Sequence, residues 1–312
     1  MGTNYKHLSC EERTMIQLSL EQGCTLRVIS RSLQLARTAR YPSRLAQAGP
    51  LWGYVARLLR DRHSPQQISG ILCRMQPDDP TLQVSHETSY TALYAMPRGE
   101  LPTELIACLR QSRKSRRPRT RGADRRGTIP NMVSSHMRPP EIEDRVMPGH
   151  WEGDLIKGAR NASAVVTLVE RSTLFVALAK MDHATAAAVV AGFGTVLNRI
   201  NAQLRLSLTY DRGREMAQHE RFAEMTGIKV YFADPHSPWQ RGINENTNGL
   251  LRQYFPKRKD PSGFTQIELD AVAWELNTRP RKSLGWKCPA ELFMPDSLDF
   301  FQHHHQLVAL RT

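Results

Sequence analysis

Apolar positions along the 312 residues change their spacing at two places. In the first third they recur at helical intervals. Ser9-Cys10-Glu11-Glu12 is a capping-box pattern ahead of Met15, Ile16, Leu18 and Leu20, and Gly23 ends that predicted helix. Thr25 can cap a second helix, with Leu26, Ile29 and Leu33 facing inward. Helix, tight turn and helix in succession is the layout of a helix-turn-helix, although hairpins that bind nothing share the pattern. A second helical unit runs from Leu51 to about Tyr94. Ser64-Pro65 starts one helix with Ile68, Ile71 and Leu72 on its apolar face, and Ser85-His86-Glu87-Thr88 opens another leading to Tyr90, Leu93 and Tyr94.

From His150 onward the spacing becomes that of alternating strands and helices. Leu155 and Ile156 lie on a first short strand, and Ala164 to Val169 and Leu174 to Ala179 are β-rich runs, with Arg171-Ser172 turning between them. Ala184 to Ile200 reads as a helix, Leu206 to Tyr210 as a strand, His219 to Met225 as a helix and Val230 to Phe232 as a strand. Two helices follow, Ile243 to Tyr254 and Gln266 to Asn277. The predicted fold class is α/β, a mixed sheet covered by helices in the ribonuclease H-like layout, preceded by small all-α helix-turn-helix units. The expected divisions are 1–50 and 51–109 for the helical units, 110–147 for a linker, 148–295 for the sheet domain and 296–312 for a tail.

Charge narrows the function. Lys and Arg outnumber Asp and Glu by 43 to 30, a net charge of +13, and the isoelectric point is about 9.9. Such a surface draws polyanions, and nucleic acid is the simplest. Between Arg110 and Arg126 nine basic residues face the single acid Asp124, with Pro118 and Gly122 interrupting any helix. A flexible linker that seeks phosphates without reading bases is expected there. The five cysteines show no C-x-x-C spacing, so neither a zinc site nor a disulfide framework is indicated. They suit a reducing cytosol. The longest apolar run, Ala184 to Leu197, is shorter than the roughly 20 residues of a membrane span, and no signal pattern opens the chain. A soluble, cytoplasmic protein with no membrane partner is expected.

Three acids stand out. Asp154 follows Trp151-Glu152-Gly153 at the exposed end of an apolar strand, Asp211 follows the strand ending at Tyr210, and Glu245 lies 34 positions later on a helix after Pro238-Trp239-Gln240-Arg241-Gly242. A lone aspartate at a strand end is ordinary turn chemistry. Three acids on two strands and a helix of one basic α/β chain suit the carboxylate set that magnesium needs, since it takes oxygen ligands and keeps waters. Asp154 and Asp211 would flank two ions and Glu245 complete one, for cutting and rejoining phosphodiesters. Glu152, two residues from Asp154 and on the same strand face, is an alternative ligand or a supporting acid. Helical spacing puts Asn248, Gly249 and Arg252 near Glu245, Arg252 as a cation for phosphate. His236 can touch DNA or orient water, and Trp239 can stack on a base or pin the turn. His303-His304-His305 reads as a solvent-facing run with no role.

Pro148-Gly149-His150-Trp151-Glu152-Gly153-Asp154, Leu208-Thr209-Tyr210-Asp211-Arg212-Gly213, His236-Ser237-Pro238-Trp239-Gln240-Arg241-Gly242 and Asn244-Glu245-Asn246 with Asn248-Gly249-Leu250-Leu251-Arg252 together resemble the DDE transposases of the IS-thirty family of bacterial insertion sequences. The likeness runs from Leu51 to Phe293 and includes Asn277-Thr278-Arg279-Pro280-Arg281-Lys282. It implies Asp154, Asp211 and Glu245 as the catalytic triad and metal ligands. It further implies Mg2+ or Mn2+ as two ions, a ribonuclease H-like catalytic domain, and helix-turn-helix units that recognise terminal inverted repeats. A homo-oligomer on double-stranded DNA, joining element ends to target DNA in the bacterial nucleoid, is implied too. Arg27, Arg31, Arg37, His86, Arg113, Lys114, Arg116, Arg117, Arg119, Arg241 and Arg252 are the expected DNA contacts.

The chain departs from the family pattern in two places. Arg37-Thr38-Ala39-Arg40-Tyr41-Pro42-Ser43 stands where the family has a recognition helix. Pro42 would stop that helix early, so the first unit reads as shortened. Ser89 and Thr91 replace an apolar residue and a basic one in the second unit. The competing functional readings are a recognition-defective copy that represses related elements and a nuclease acting on RNA in hybrids.

Overall fold

The computed structural model describes residues 10–26, 28–30, 33, 45, 49–96, 100–109, 129, 131–158, 163–181, 185–234, 237–256 and 260–309. Eight of the expected DNA contacts, Arg27, Arg31, Arg37, Arg113, Lys114, Arg116, Arg117 and Arg119, lie outside them, as do His236 and the segment Arg37 to Ser43.

The first helix, α1 (Cys10–Glu21), is where expected. It ends at Gly23, whose φ of +71° lets the Cys24 N–H return to the Ser19 carbonyl. Its expected inward face is not buried: Leu18 and Leu20 are half exposed, and Leu26 beyond the turn is 76% exposed. Ile29 is the buried member of that set.

Helices α2 (Pro50–Arg60), α3 (Pro65–Met75), α4 (His86–Ala95) and α5 (Glu100–Ala107) form the second unit. Ser64 and Gln67 close a capping box on α3, and Ser85 caps α4. Val55, Leu58, Leu59, Ile68, Ile71, Leu93 and Leu105 make its core. Cys288, Ala290, Leu298 and Phe300, from the far end of the chain, complete it. The histidine run corrects an expectation. It lies on a helix, Phe300–Ala309, and His304 is fully buried against Phe300 and His63.

After the short helix α6 (Pro140–Asp144) comes a five-stranded sheet of order β3-β2-β1-β4-β5. The strands are β1 (His150–Lys157), β2 (Ala164–Glu170), β3 (Val176–Met181), β4 (Ser207–Tyr210) and β5 (Lys229–Phe232). β1, β2 and β3 are antiparallel neighbours, whereas β4 and β5 add in parallel beside β1. Sequence neighbours pair in the antiparallel half, and helical crossovers through α7 (Ala186–Asn198) and α8 (His219–Thr226) build the parallel half. This is the ribonuclease H-like layout.

Both faces of the sheet are covered, so β2 is apolar on both sides. Val166 and Leu168 face α7 and α8 with Phe193, Leu197 and Phe222. Val165 and Val169 face α9 (Gly242–Leu251) and α10 (Gln266–Asn277) with Leu251, Leu269 and Leu276. Alternation divides β1 in the same way. Trp151 and Leu155 point to the first face, and Gly153 between them leaves room for the Phe193 ring, which a Cβ would approach to 3.0 Å. Glu152, Asp154 and Ile156 therefore point toward α9.

Candidate active site

Register brings the two aspartates together. β1 and β4 pair in parallel as His150 with Ser207, Trp151 with Leu208 and Glu152 with Thr209. Continued two positions, that register sets Asp154 beside Asp211 across the roughly 4.8 Å that separates adjacent strands. Asp154 lies inside its strand, which begins at His150, and not at the exposed start ahead of Leu155 and Ile156 that the sequence suggests. β1 runs on to Lys157 because its other edge stays paired with β2, where Asp154 opposes Thr167. β4 stops at Tyr210, so Asp154 faces an opening in the sheet.

Each aspartate has one oxygen pinned by the backbone. Asp154 Oδ1 accepts the Leu155 N–H at 2.9 Å, and Asp211 Oδ1 accepts the Gly213 N–H at 2.9 Å. Their Oδ2 atoms share one cation. Arg241 Nη2 lies 3.0 Å from Asp154 Oδ2 and its Nη1 lies 3.3 Å from Asp211 Oδ2. Arg241 is buried, and its guanidinium stands over the Tyr210 ring at 5.8 Å. Its expected place was among exposed DNA contacts, whereas here both arms are committed to carboxylates. Burial pushes the Asp154 carboxyl above its usual range, the Arg241 charge opposes that shift, and the nearby Asp211 charge adds to it.

The loop that delivers Arg241 is tied to the loop that follows Asp211. Arg212 donates to the Ala233 carbonyl and to Asp234 Oδ1. Gln240 takes the Asp234 N–H at 2.7 Å and donates to Asp234 Oδ2 at 3.0 Å. Two motifs distant in sequence thus meet on residues 233–234.

Helix α9 is fastened to β1 at two levels. The fully buried Asn244 donates from Nδ2 to the Glu152 carbonyl at 2.8 Å, and its backbone N–H meets Glu152 Oε2 at 3.0 Å. The Thr167 hydroxyl donates to Asn244 Oδ1 at 3.2 Å. One turn along, Asn248 Nδ2 donates to Asp154 Oδ2 at 2.8 Å. Four residues of helix and two of strand both advance about 6 to 7 Å, so residues 244 and 248 match 152 and 154 in step. Glu245 sits between the two asparagines in sequence, which fixes the height and rotation of its backbone against Asp154.

Glu152 is part of this fastening. Arg171 Nη1 donates to Glu152 Oε1 at 3.1 Å, both groups nearly free of solvent, and Arg171 also reaches Glu143, which Arg138 binds. Burial raises the Glu152 carboxyl while Arg171 draws it down. With both oxygens engaged by Arg171 and Asn244, Glu152 supports the site and does not face Asp211.

The structure does not gather all three acids. Glu245 is exposed, and among the described residues no three His, Cys, Asp or Glu side chains converge closely enough to hold a metal ion. The donors that do converge suit a hard divalent cation. Two carboxylate oxygens turn to one positive charge, and Asn248 Oδ1 beside them is buried without a hydrogen-bond partner. Arg252 donates to the Phe255 carbonyl, and His86 Nε2 lies 3.3 Å from its neighbour Glu87. Asn244, Gln240 and Arg171 escaped the sequence reading. The available signal was a pair of asparagines four apart on a helix, a residue type that helix interiors disfavour.

Relatives resemble the chain over nearly its whole length. The transposase for insertion sequence element IS1086 of Cupriavidus metallidurans is 52% identical, across 93% of this chain and 95% of its own. Transposase InsI for insertion sequence element IS30A of Escherichia coli is 40% identical, across 92% and 83%. The transposase for insertion sequence element IS4351 of Bacteroides fragilis is 33% identical, across 90% and 86%. No protein-family model matches the chain. The catalytic core domain of BIV integrase superposes at a TM-score of 0.36 and 18% identity, over 48% of this chain and 96% of its own, too loosely to bear on function.

Proposed function

As the chain belongs to the IS-thirty family of insertion-sequence transposases, we propose that it cuts DNA at the terminal inverted repeats of its element and joins the freed 3′-ends to target DNA. Asp154, Asp211 and Glu245 are the catalytic carboxylates of this reading. The observation that carries it is the pair Asp154 and Asp211, set side by side by strand register with their Oδ2 atoms turned to one shared cation.

Asp154 and Asp211 would hold Mg2+ or Mn2+, with Asn248 Oδ1 as a neighbouring oxygen and Glu245 completing the set when DNA is engaged. Bound there, the ion would supply an activated water or 3′-hydroxyl and neutralise charge on the leaving oxygen. The protein's own contribution is placement. Backbone N–H groups orient both aspartates, and the two asparagines hold the helix of Glu245 against the strand of Asp154. The Arg241 guanidinium holds the Oδ2 atoms of Asp154 and Asp211, so a divalent ion held by these carboxylates would have to compete with it. The helical units and the basic segment 110–126 hold DNA through phosphate contacts, and work on two ends at once calls for an oligomer. No helix among the described residues is long and apolar enough to cross a membrane.

The test is nicking of a labelled duplex bearing the repeats that flank the gene, with magnesium or with a chelator. Asp211→Asn and Glu245→Gln are each expected to abolish magnesium-dependent nicking at the repeat boundary while DNA affinity stays within a few-fold. Nicking that survives both changes would overturn the assignment.

A further inference from the structure

Between α3 and α9 runs an open cleft of about 830 Å3. Arg62, Gln66, Arg145 and Lys282 line it together with Asn246 on α9 and Gln253 just beyond the helix. The described lining contains no Asp or Glu. Of its cations, Arg279 is buried and already paired with Glu275, and the half-buried Arg281 donates to the Leu276 carbonyl, whereas Arg62, Arg145 and Lys282 are exposed. The cleft also meets the first turn of α9 at Gly242.

The backbone singles out the same place. Five described non-glycine residues have φ in the left-handed region, and four of them, Arg62, Arg145, Leu174 and Trp286, line this cleft. Backbone held in such conformations concentrates where a surface is shaped for a ligand. The walls are also fixed in place. The Trp286 ring lies so close over Gly70 that a Cβ there would meet it at 2.5 Å. Arg74 grips both oxygens of Glu291 at 2.9 and 3.0 Å, and Gln67 donates to the Pro280 carbonyl at 3.2 Å.

We propose that this cleft binds the phosphate backbone of DNA and carries it along the helix that bears Glu245, an inference that rests on the reading of the chain as an enzyme acting on DNA. Cations with no interspersed acid match a polyanion. The amides of Gln66, Asn246 and Gln253 both donate and accept, which suits sugar and base edges beside the phosphates. An acidic peptide shares the charge, but it gives no reason for the cleft to share a helix with the carboxylates of a phosphodiester-cutting site.

The experiment measures binding of the full chain to a labelled duplex, to its separated single strand and to polyglutamate, in chelator and over a range of salt. The variant is Arg62→Ala, Arg145→Ala and Lys282→Ala together. The control is Arg221→Ala with Lys229→Ala, both exposed on the α8 and β5 side. Three lost phosphate contacts should flatten the log–log salt slope by about 2.7 for duplex and about 2.1 for single strand, and weaken duplex binding at 0.1 M salt about 500-fold. A slope change confined to one of the two substrates identifies the form of DNA held. The control should leave the slope unchanged, and a charge-keeping variant, Arg62→Lys, Arg145→Lys and Lys282→Arg, should restore it.

A triple variant that keeps the wild-type slope overturns the proposal. So does a charge-keeping variant that fails to restore it, or polyglutamate binding that falls while DNA binding holds. Because nothing is cleaved in chelator, these outcomes are independent of the Asp211→Asn nicking test, and either reading can fail alone.

Discussion

Asn244→Ala tests the fastening of α9 to β1. The change removes two buried side-chain hydrogen bonds, to the Glu152 carbonyl and from the Thr167 hydroxyl. Each is worth about 1 kcal/mol net, and the small void left by the amide adds to that. Two compensations limit the loss. The Thr167 hydroxyl keeps the Asp154 carbonyl as a partner at 3.1 Å, and Glu152 Oε2 keeps the residue 244 backbone N–H. The buried carboxylate therefore stays paired, and the cost falls short of the 3–5 kcal/mol typical of breaking a buried ion pair. A loss of about 2 to 3 kcal/mol is expected, read as a lower urea midpoint at unchanged m value. Asn244→Asp keeps the shape but turns an acceptor toward the Glu152 carbonyl, and it should cost more than the alanine. Because the helix of Glu245 loses its anchor, nicking at saturating DNA should fall about 100-fold, the usual consequence of an ångström of misplacement. DNA affinity should stay within about twofold, since the cations Arg62, Arg145 and Lys282 and the basic segment 110–126 lie off α9. A loss under about 0.5 kcal/mol with full nicking, or an aspartate milder than the alanine, would refute the reasoning.

Three further outcomes follow from the geometry. Arg241→Ala should tighten Mn2+ binding, measured by calorimetry, by at least about tenfold, because the ion no longer displaces charge-assisted bonds worth about 1.5–3 kcal/mol; unchanged or weaker binding would show that guanidinium and ion do not compete. Burial holds the His304 imidazole down at about 4, from an ordinary value of 6.5. The unfolded chain therefore takes up its proton first, and stability present above pH 6.5 is lost as pH falls toward 4, by about 3 kcal/mol for this group. His304→Gln should remove that share of the acid sensitivity in denaturation curves, and an unchanged pH profile would contradict it. Gly70→Ala on α3 would gain up to about 1 kcal/mol from helix propensity alone, but the clash with Trp286 should turn this into a net loss of about 1–3 kcal/mol. A rise in melting temperature would mean that the ring is not seated there.

Much of the molecule was legible before any coordinates. Helical and alternating periodicities located the elements, because each is a local consequence of which face is buried. Gln266 to Asn277 matches α10 residue for residue, with a Thr265 and Glu268 capping box at its start. Asp154 and Asp211 could be singled out because carboxylates near the ends of apolar strands have little to contribute to a core, and Glu245 because its helix follows the distinctive Pro238 to Gly242 stretch. The sequence missed what depends on partners distant along the chain. Strand order decided that Asp154 opposes Asp211, and pairing with β2 and β4 began β1 at His150, ahead of the apolar pair Leu155 and Ile156. Arg241 looked like any basic residue in a Pro-rich loop until residues 233–234 were seen to draw its loop against the two aspartates. His304 looked solvent-facing until Phe300 and His63 closed over it.

By itself, then, the sequence determined which residue types are available and the local elements that carry them, since periodicity and capping act over only a few residues. Tertiary structure decided which charges neutralise one another, which asparagines hold α9 to β1, and that Arg62, Arg145 and Lys282, far apart in sequence, line one cleft. Those outcomes depend on burial and on distances of a few ångströms between segments as much as 217 residues apart, and no local pattern encodes them.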